Sequence, residues 1–291
     1  MHLFFVLSVI FIWGVNFAAV KVAVDQVPPV FSAALRFTFA ALLFVWFARP
    51  GREQFPTLIA LGLVLGCCHF GLMFVGLSGA DVAVAAVAMQ LGIPFSVVLA
   101  RIWLGERFGF WRAFGMALAF LGVIVLMGEP ETASASPYVL SVVVSAFCWA
   151  VANILLKRIE GLNVLGMSGW VALLAAPVLF GLSFLIEDNQ VNAVLGADWR
   201  FWAGISFAVV FSTGLAYGLW FFLMKHHPVS HIVPFGLLVP AIGMASGALL
   251  LGEALTIYKI LGGLITLAGV GIIQYRMTRT SKAREKHVES R

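Results

Sequence analysis

Ten apolar runs, each about 18–24 residues long, follow one another along this chain. A helix of that length crosses a hydrocarbon core of ~30 Å. The runs lie at Leu3–Val24, Val30–Ala48, Thr57–Ser78, Val82–Trp103, Phe110–Gly128, Pro137–Leu156, Leu165–Ile186, Arg200–Met224, Ser230–Leu251 and Tyr258–Met277. The chain is 62% hydrophobic and 11% charged, whereas a soluble domain carries about 25% charged residues. An outer-membrane barrel would alternate in segments of about ten residues, and no such alternation is present. The sequence therefore predicts an all-α integral membrane protein of ten transmembrane helices. The longest stretch outside them, Glu187 to Trp199, has no room for a soluble domain or a nucleotide-binding cassette. The first run, MHLFFVLSVIFIWG, has no basic leader and no clear small-residue cleavage site, so it is expected to stay as the first helix.

Basic residues sort to one side of these spans. With the N-terminus inside, the inner loops carry Arg49, Arg52, Arg101, Arg107, Arg112, Lys157, Arg158 and Lys225. Arg276, Arg279, Lys282, Arg284, Lys286 and Arg291 follow in the C-terminal segment. The outer loops hold Asp25, Asp81, Glu129, Glu131, Glu187, Asp188, Asp198 and Glu253, with Arg200 and Lys259 as their basic residues. This asymmetry predicts cytoplasmic N- and C-termini. The segment 279–291 is expected to be a basic cytoplasmic tail, anchoring topology or touching anionic lipid heads.

One corner is written twice. Residues 104–115 read LGERFGFWRAFG and residues 251–262 read LGEALTIYKILG. Gly122-Val123 is answered by Gly269-Val270, and Trp149-Ala150-Val151 with Lys157 answers Trp13-Gly14-Val15 with Lys21. The first corner lies between spans four and five, the second between spans nine and ten. Five is odd, so the second copy enters the membrane upside down. The expected organisation is a five-helix repeat over 1–132 and a second, inverted one over 133–278. Inverted repeats mark many secondary transporters, whose halves rock about a central site.

WGVNFAAVK in span one, PPVFSAALRF into span two and the two Pro-to-Gly-Glu segments resemble the EamA family of the drug/metabolite transporter superfamily. YGLW at 217–220 and LLVPAIGMASGALLLGEALT at 237–256 look most like its bacterial exporters of O-acetylserine, cysteine and related amino-acid metabolites. The resemblance covers nearly the whole chain. It implies a ten-helix fold of two inverted five-helix repeats and export across the bacterial inner membrane. One departure is visible: Pro94 to Glu106 is one residue shorter than Pro240 to Glu253, so helices four and nine are not strict equivalents.

Polar groups within hydrocarbon cost several kcal/mol when unsatisfied, so they face the bundle interior and are site candidates. Trp13 and Asn16 share a face of span one, and Trp149 and Asn153 share a face of span six. Each pair sets an aromatic plate beside an amide, as a small zwitterion requires; an interhelical hydrogen bond explains the same pattern. His69 in span three and Gln90 in span four are either substrate contacts or satisfied core groups. Pro94, Pro234 and Pro240 are expected to break their helices. Thr213, Tyr217, Trp220 and Met224 form one stripe on span eight, lining a wet cavity or a helix seam. Lys21, Arg36 and Lys157 either snorkel to the head groups or act as gate charges, with Arg36 or Lys21 also able to meet a substrate carboxylate. Glu106 and Glu253 are expected to cap the next helix or tie the corner. GxxxG spacings at Gly62/Gly66, Gly214/Gly218 and Gly243/Gly247 read as close packing within the chain, with a homodimer face as the other option.

The substrate set expected is thus Trp13, Asn16, His69, Gln90, Trp149, Asn153, Tyr217 and Trp220. No Asp or Glu lies mid-span, which argues against the proton-for-drug exchange of small multidrug pumps. His226, His227 and His231 sit at an inner interface without clustered acids, so neither a metal nor another cofactor is expected. Cys67, Cys68 and Cys148 are odd in number and give no disulfide framework. HExxH, GxSxG and a mid-membrane acid pair are all missing, so an enzyme is not expected, nor is a nucleic-acid partner.

The leading function is alternating-access export of small neutral metabolites such as cysteine and O-acetylserine. The alternatives are a same-fold exporter of aromatic amino acids, purines or drugs, and a membrane receptor or structural protein. The orientation is testable directly: a reporter fused after Arg291 should report cytoplasm, and one inserted within Glu129–Ser136 should report the outside. Two cytoplasmic signals would remove the inversion.

Overall fold

The computed structural model describes residues 3–105, 109–129, 135–159, 161–227 and 232–289; at Leu104, Val233, Pro234 and beyond Arg276 only the backbone is described. Among the described residues all regular structure is helical. The ten helices are α1 (Leu3–Val24), α2 (Pro29–Phe47), α3 (Arg52–Gly79), α4 (Val82–Trp103), α5 (Phe110–Met127), α6 (Ser136–Leu156), α7 (Val164–Ile186), α8 (Trp199–His226), α9 (Phe235–Leu251) and α10 (Ile257–Arg276). Nine of these described helices are long and apolar enough to span a membrane, and α9 is the shorter tenth. The start expected for α9, at Ser230, lies outside the described residues. Large apolar side chains such as Leu42, Ile102, Leu185 and Leu249 stand exposed on the perimeter, as suits a protein solvated by lipid. Below, the end carrying the α1–α2, α3–α4, α7–α8 and α9–α10 corners is called outer, after the orientation expected from the basic residues.

Two features depart from the sequence expectation. The loop between α7 and α8 contains a short helix, Gln190–Gly196, entered through Asn189 in the left-handed region. Gln190 ties it down by donating to the carbonyls of Ser183 and Glu187. The backbone of α10 also continues as helix to Glu289, so the expected tail is in large part an extension of the last span. Its Lys, Arg, Glu and Ala content favours helix on intrinsic grounds.

The repeated Leu-Gly-Glu corner has a backbone reason. Gly105 (φ 67°) and Gly252 (φ 73°) end α4 and α9 in the left-handed conformation, where a Cβ is strained. The expected proline breaks are also present. A 3₁₀ turn at Met89–Leu91 precedes Pro94, and another at Val233–Leu238 precedes Pro240. Each proline removes one N–H and crowds the carbonyl four residues earlier, which falls in that turn. Two wide π-helical stretches, Gly62–Gly71 in α3 and Phe207–Ala216 in α8, had no counterpart in the apolar pattern.

Glycine allows close backbone contact between the first five helices and the last five. A Cβ on Gly122 of α5 would lie 2.5 Å from the Thr266 nitrogen and 2.6 Å from the Gly262 carbonyl oxygen on α10. One on Gly269 of α10 would lie 2.5 Å from the Gly115 carbonyl oxygen. Gly62 and Gly66 likewise pack on α7, and Gly243 on Ala86 of α4. These spacings serve packing within the chain. A branched side chain should therefore separate α5 from α10: Gly122→Val is expected to cost about 1–3 kcal/mol and to lower the melting temperature of the purified protein, whereas Gly109→Ala, with open space around it, should not.

Candidate functional site

An internal cavity of about 80 Å³ lies between α2, α3, α6, α7 and α8. It runs from Arg36 and Phe37 on α2 to Leu156 and Val164, which flank the α6–α7 corner at the inner end. Both π-helical stretches contribute to its wall, through Leu65 and Phe70 from α3 and Thr213 from α8. A π-turn shifts the side chains after it around the helix, and such turns often occur at functional positions. Trp149, Tyr217 and Phe221 add three aromatic rings, and Ala40, Met167, Ser168, Val171 and Ala172 complete the wall.

Arg36 is the charged group in this wall. It sits seven residues past Pro29, about 10 Å down α2 at 1.5 Å per residue, and is only 3% exposed. Its guanidinium carbon lies over the ring of Phe70, 4.1 Å from the centroid. Nη2 donates to the Thr213 hydroxyl at 3.4 Å, and that hydroxyl donates in turn to the Ala208 carbonyl at 3.0 Å. Nη1 is buried and has no hydrogen-bond partner. Among the described residues no carboxylate pairs with Arg36. A cation–π contact is worth about 0.5–2 kcal/mol, while an unsatisfied buried polar group costs about 1–3 kcal/mol and more when charged. The aromatic contact therefore does not offset the missing partner.

The structure distributes the expected residues among three settings. Trp149, Tyr217 and Arg36 meet around the cavity. Trp13 and Trp220 form a separate aromatic cluster, with Trp13 at 5.5 Å from Tyr217 and 5.2 Å from Trp220 between ring centroids. Tyr217 thus joins that cluster to the cavity wall. Asn16, His69, Gln90 and Asn153 do not line the cavity. His69 is held by Ser145: Nδ1 lies 3.0 Å from the Ser145 carbonyl, whose hydroxyl donates to the His69 carbonyl at 2.8 Å. This reciprocal pair fastens α3 to α6 and calls for the Nδ1–H tautomer. Its ring also packs 5.2 Å from Trp149, so His69 supports the cavity wall from behind. Asn16 and Gln90 each keep one buried amide atom without a partner. Lys21 pairs with Asp25 at 3.3 Å, and Lys157 is exposed at the end of α6.

Phe70 and Ser168 belong to the wall but carried no usable signal in the sequence, one being an ordinary apolar residue and the other a serine in an apolar helix. Cys67, Cys68 and Cys148 are free thiols. His226 donates from Nδ1 to the Phe222 carbonyl, 2.8 Å away, and His231 lies outside the described residues. No His, Cys, Asp and Glu grouping suited to a metal occurs among the described residues.

A second constellation closes the outer end. The Glu187 carboxylate, at the end of α7, accepts from the N–H groups of Val30 and Phe31 at 2.8 and 3.0 Å and from the Ser183 hydroxyl at 2.7 Å. The Glu253 carboxylate accepts from Val82 and Ala83 at 2.7 and 3.2 Å. Glu187 and Glu253 thus cap the N-termini of α2 and α4 across the molecule. Of the two roles expected for Glu253, capping the next helix is corrected: its carboxylate ties the corner to the start of α4 through Val82 and Ala83. Glu106 lies outside the described residues. Beside Glu253, Lys259 is only 2% exposed. It bonds Asp81 at 2.5 Å and the Ala254 carbonyl at 2.8 Å. Gln26 and Asp198 exchange hydrogen bonds of 2.9 and 3.0 Å.

Burial raises the Glu253 carboxyl above its usual range, and the N–H groups of Val82 and Ala83 act against that rise. A raised folded-state value means that the folded protein holds the proton more tightly. Its contribution to stability is then largest below the unfolded value and declines as pH rises through the folded one. Glu253→Ala leaves two helix N–H groups bare, at about 1–3 kcal/mol. The expected readouts are a lower melting temperature at neutral pH and a weaker fall of stability as pH rises above the ordinary glutamate range. An unchanged melting curve would show the clasp to be dispensable.

Known proteins resemble this chain at both levels. The model of the EamA-like transporter family matches residues 1–128 and 136–275. A probable amino-acid metabolite efflux pump of Salmonella typhimurium is 28% identical, over 96% of this chain and 97% of its own length. The protein of the same name in Escherichia coli is 28% identical, over 91% and 92%. An uncharacterized transporter of Bacillus subtilis is 25% identical, over 94% and 97%. One crystal structure superposes with a TM-score of 0.62 at 19% identity, covering 95% of this chain and 97% of that one; it shows a shared fold.

Proposed function

The chain belongs to the EamA-like transporter family, and from that membership we propose that it exports small amino-acid metabolites by alternating access across the bacterial inner membrane. The observation that carries the cargo class is the cavity. At about 80 Å³ it is far below the ~300–1,000 Å³ of drug-sized pockets. A space of this size favours a small solute over a bulky drug. The names of the relatives from Salmonella typhimurium and Escherichia coli support the same class.

Alternating access follows from where the polar contacts lie. The cavity reaches the α6–α7 corner, while the outer end is tied by Glu187, Glu253 and the Lys259–Asp81 pair. This is the arrangement of a carrier loaded from the side of that corner. With the termini in the cytoplasm, loading occurs from inside the cell. Release outward requires the clasp to part as the inner end closes. The glycine seam of α5 and α10 supports two inverted five-helix repeats about this axis, since Gly115 and Gly122 lie 147 residues before Gly262 and Gly269. The same residue types thus face each other in opposite directions.

The reading is tested by flux. Purified protein reconstituted into proteoliposomes should move labelled cysteine, O-acetylserine or S-methylcysteine faster than empty vesicles. Trp149→Ala should lower flux at low substrate by about 2- to 13-fold, the worth of one aromatic contact, at unchanged abundance. Flux of purines or large aromatic drugs in place of these amino acids would move the cargo to the other class. An absence of flux for every solute would favour a receptor or structural role.

A further inference from the structure

We propose that Arg36 is the anchor for a monocarboxylate, and that the cavity recognises this one charge without requiring an ammonium group on the same molecule. The inference rests on the transport reading and names the chemistry of its site.

Four observations carry it. Arg36 is 3% exposed and lines the cavity, with Nη1 buried and unbonded. Phe70 lies 4.1 Å from the guanidinium carbon, so one side of the group already has an apolar neighbour that offers no hydrogen bond. A guanidinium edge presents two parallel N–H donors, the geometry that a carboxylate accepts bidentately. Third, Thr213 spends its own proton on the Ala208 carbonyl and offers Nη2 a lone pair at 3.4 Å. This long contact orients the fork but leaves it under-bonded. Fourth, among the described residues no Asp or Glu lines the cavity. An ammonium there meets the Ser168 hydroxyl and the aromatic faces of Trp149 and Tyr217, and no opposite charge. The carboxylate is therefore the indispensable group, and the ammonium is accommodated.

Charge balance narrows the class further. One cation in an apolar wall neutralises one negative charge. A phosphate dianion or a dicarboxylate would leave a net charge in a desolvated site, which is unfavourable. An N-acylated amino acid carries the one charge that matches, whereas the ammonium of a free amino acid leaves one positive charge over, so the N-acyl compound should bind at least as well where size allows. An amino-acid ester should not bind, although it keeps the ammonium and the side chain.

The test uses the purified full-length protein in detergent and three probes with one side chain: S-methyl-L-cysteine, its N-acetyl derivative and its methyl ester. Binding is read by tryptophan fluorescence and by thermal stabilisation, with succinate and inorganic phosphate as further probes. The acid and its N-acetyl derivative should bind wild type, while the ester, succinate and phosphate should bind at least ~10-fold more weakly, the loss expected for one charge-assisted pair. Arg36→Gln should lose the preference for acid over ester, and Arg36→Lys should keep part of it. Without ligand, Arg36→Gln should melt no lower than wild type, because it removes an unpaired buried charge; a purely structural arginine would make it melt lower.

Equal binding of ester and acid by wild type overturns the assignment and needs no variant. So does unaltered acid binding by Arg36→Gln, or a wild type that binds none of the carboxylates. Flux separates the two readings. Amino-acid flux that is the same in Arg36→Gln and wild type sinks the anchor and leaves the transporter. Carboxylate-selective binding without flux in proteoliposomes sinks the transporter and leaves the anchor.

Discussion

The outer end is held by carboxylates placed on helix N-termini that belong to the other part of the chain. The first turn of a helix has four N–H groups with no partner inside the helix. At the surface of a soluble protein water takes them. In a packed bundle near the membrane interface, something in the protein must. Glu187 satisfies the start of α2, and Glu253 the start of α4. Each carboxylate also meets the positive end of a helix dipole. Two acids thereby satisfy four amides and join the last five helices to the first five at one end. Because this end is tied, the space inside the bundle reaches the other end, and the cavity acquires its direction.

The way the clasp is built also bears on motion. Its bonds are few and lie at the rim, and Asp81 remains partly open to solvent. Such contacts exchange with water at modest net cost, since a typical intramolecular hydrogen bond adds only about 0.5–1.5 kcal/mol. The glycine seam between α5 and α10 is different. There backbone meets backbone, and separating it would open a void. A carrier that alternates between two states should part the first kind of contact and slide along the second.

Much of this was legible in the sequence because lipid imposes a simple rule. Each span must be apolar over its length, so the spans of α1 and α4 could be read to the residue and most others within a few. The corner at Gly252 was legible because only glycine takes a left-handed cap without strain. The partner of Glu253 was not legible: capping is a contact in space, and the acid reaches back about 170 residues to Val82. The wall of the candidate cavity was legible in part. Trp149 and Tyr217 were expected and lie on the cavity, but Asn153, one turn from Trp149, does not. A residue one turn away shares the helix face, yet the cavity is narrower than that face. The π-helical stretches of α3 and α8 also change which side chains point inward, and no apolar period reveals them. His69 looked chemically suggestive, yet Ser145 satisfies it, and Phe70 beside it is the residue that meets Arg36.

The charges of this chain divide by whether they have partners. Lys21 has Asp25, Lys259 has Asp81, and Glu187 and Glu253 have helix ends. All four lie toward the outer rim, where they set position. Arg36 alone among these buried or half-buried charges has one ring, one long contact to Thr213 and an empty Nη1. A fold under pressure only for stability would replace such a group with leucine, because buried charge without a partner is costly. The carboxylate proposed above would supply the partner that Arg36 lacks within the fold, and a residue that costs stability on its own would then strengthen the complex.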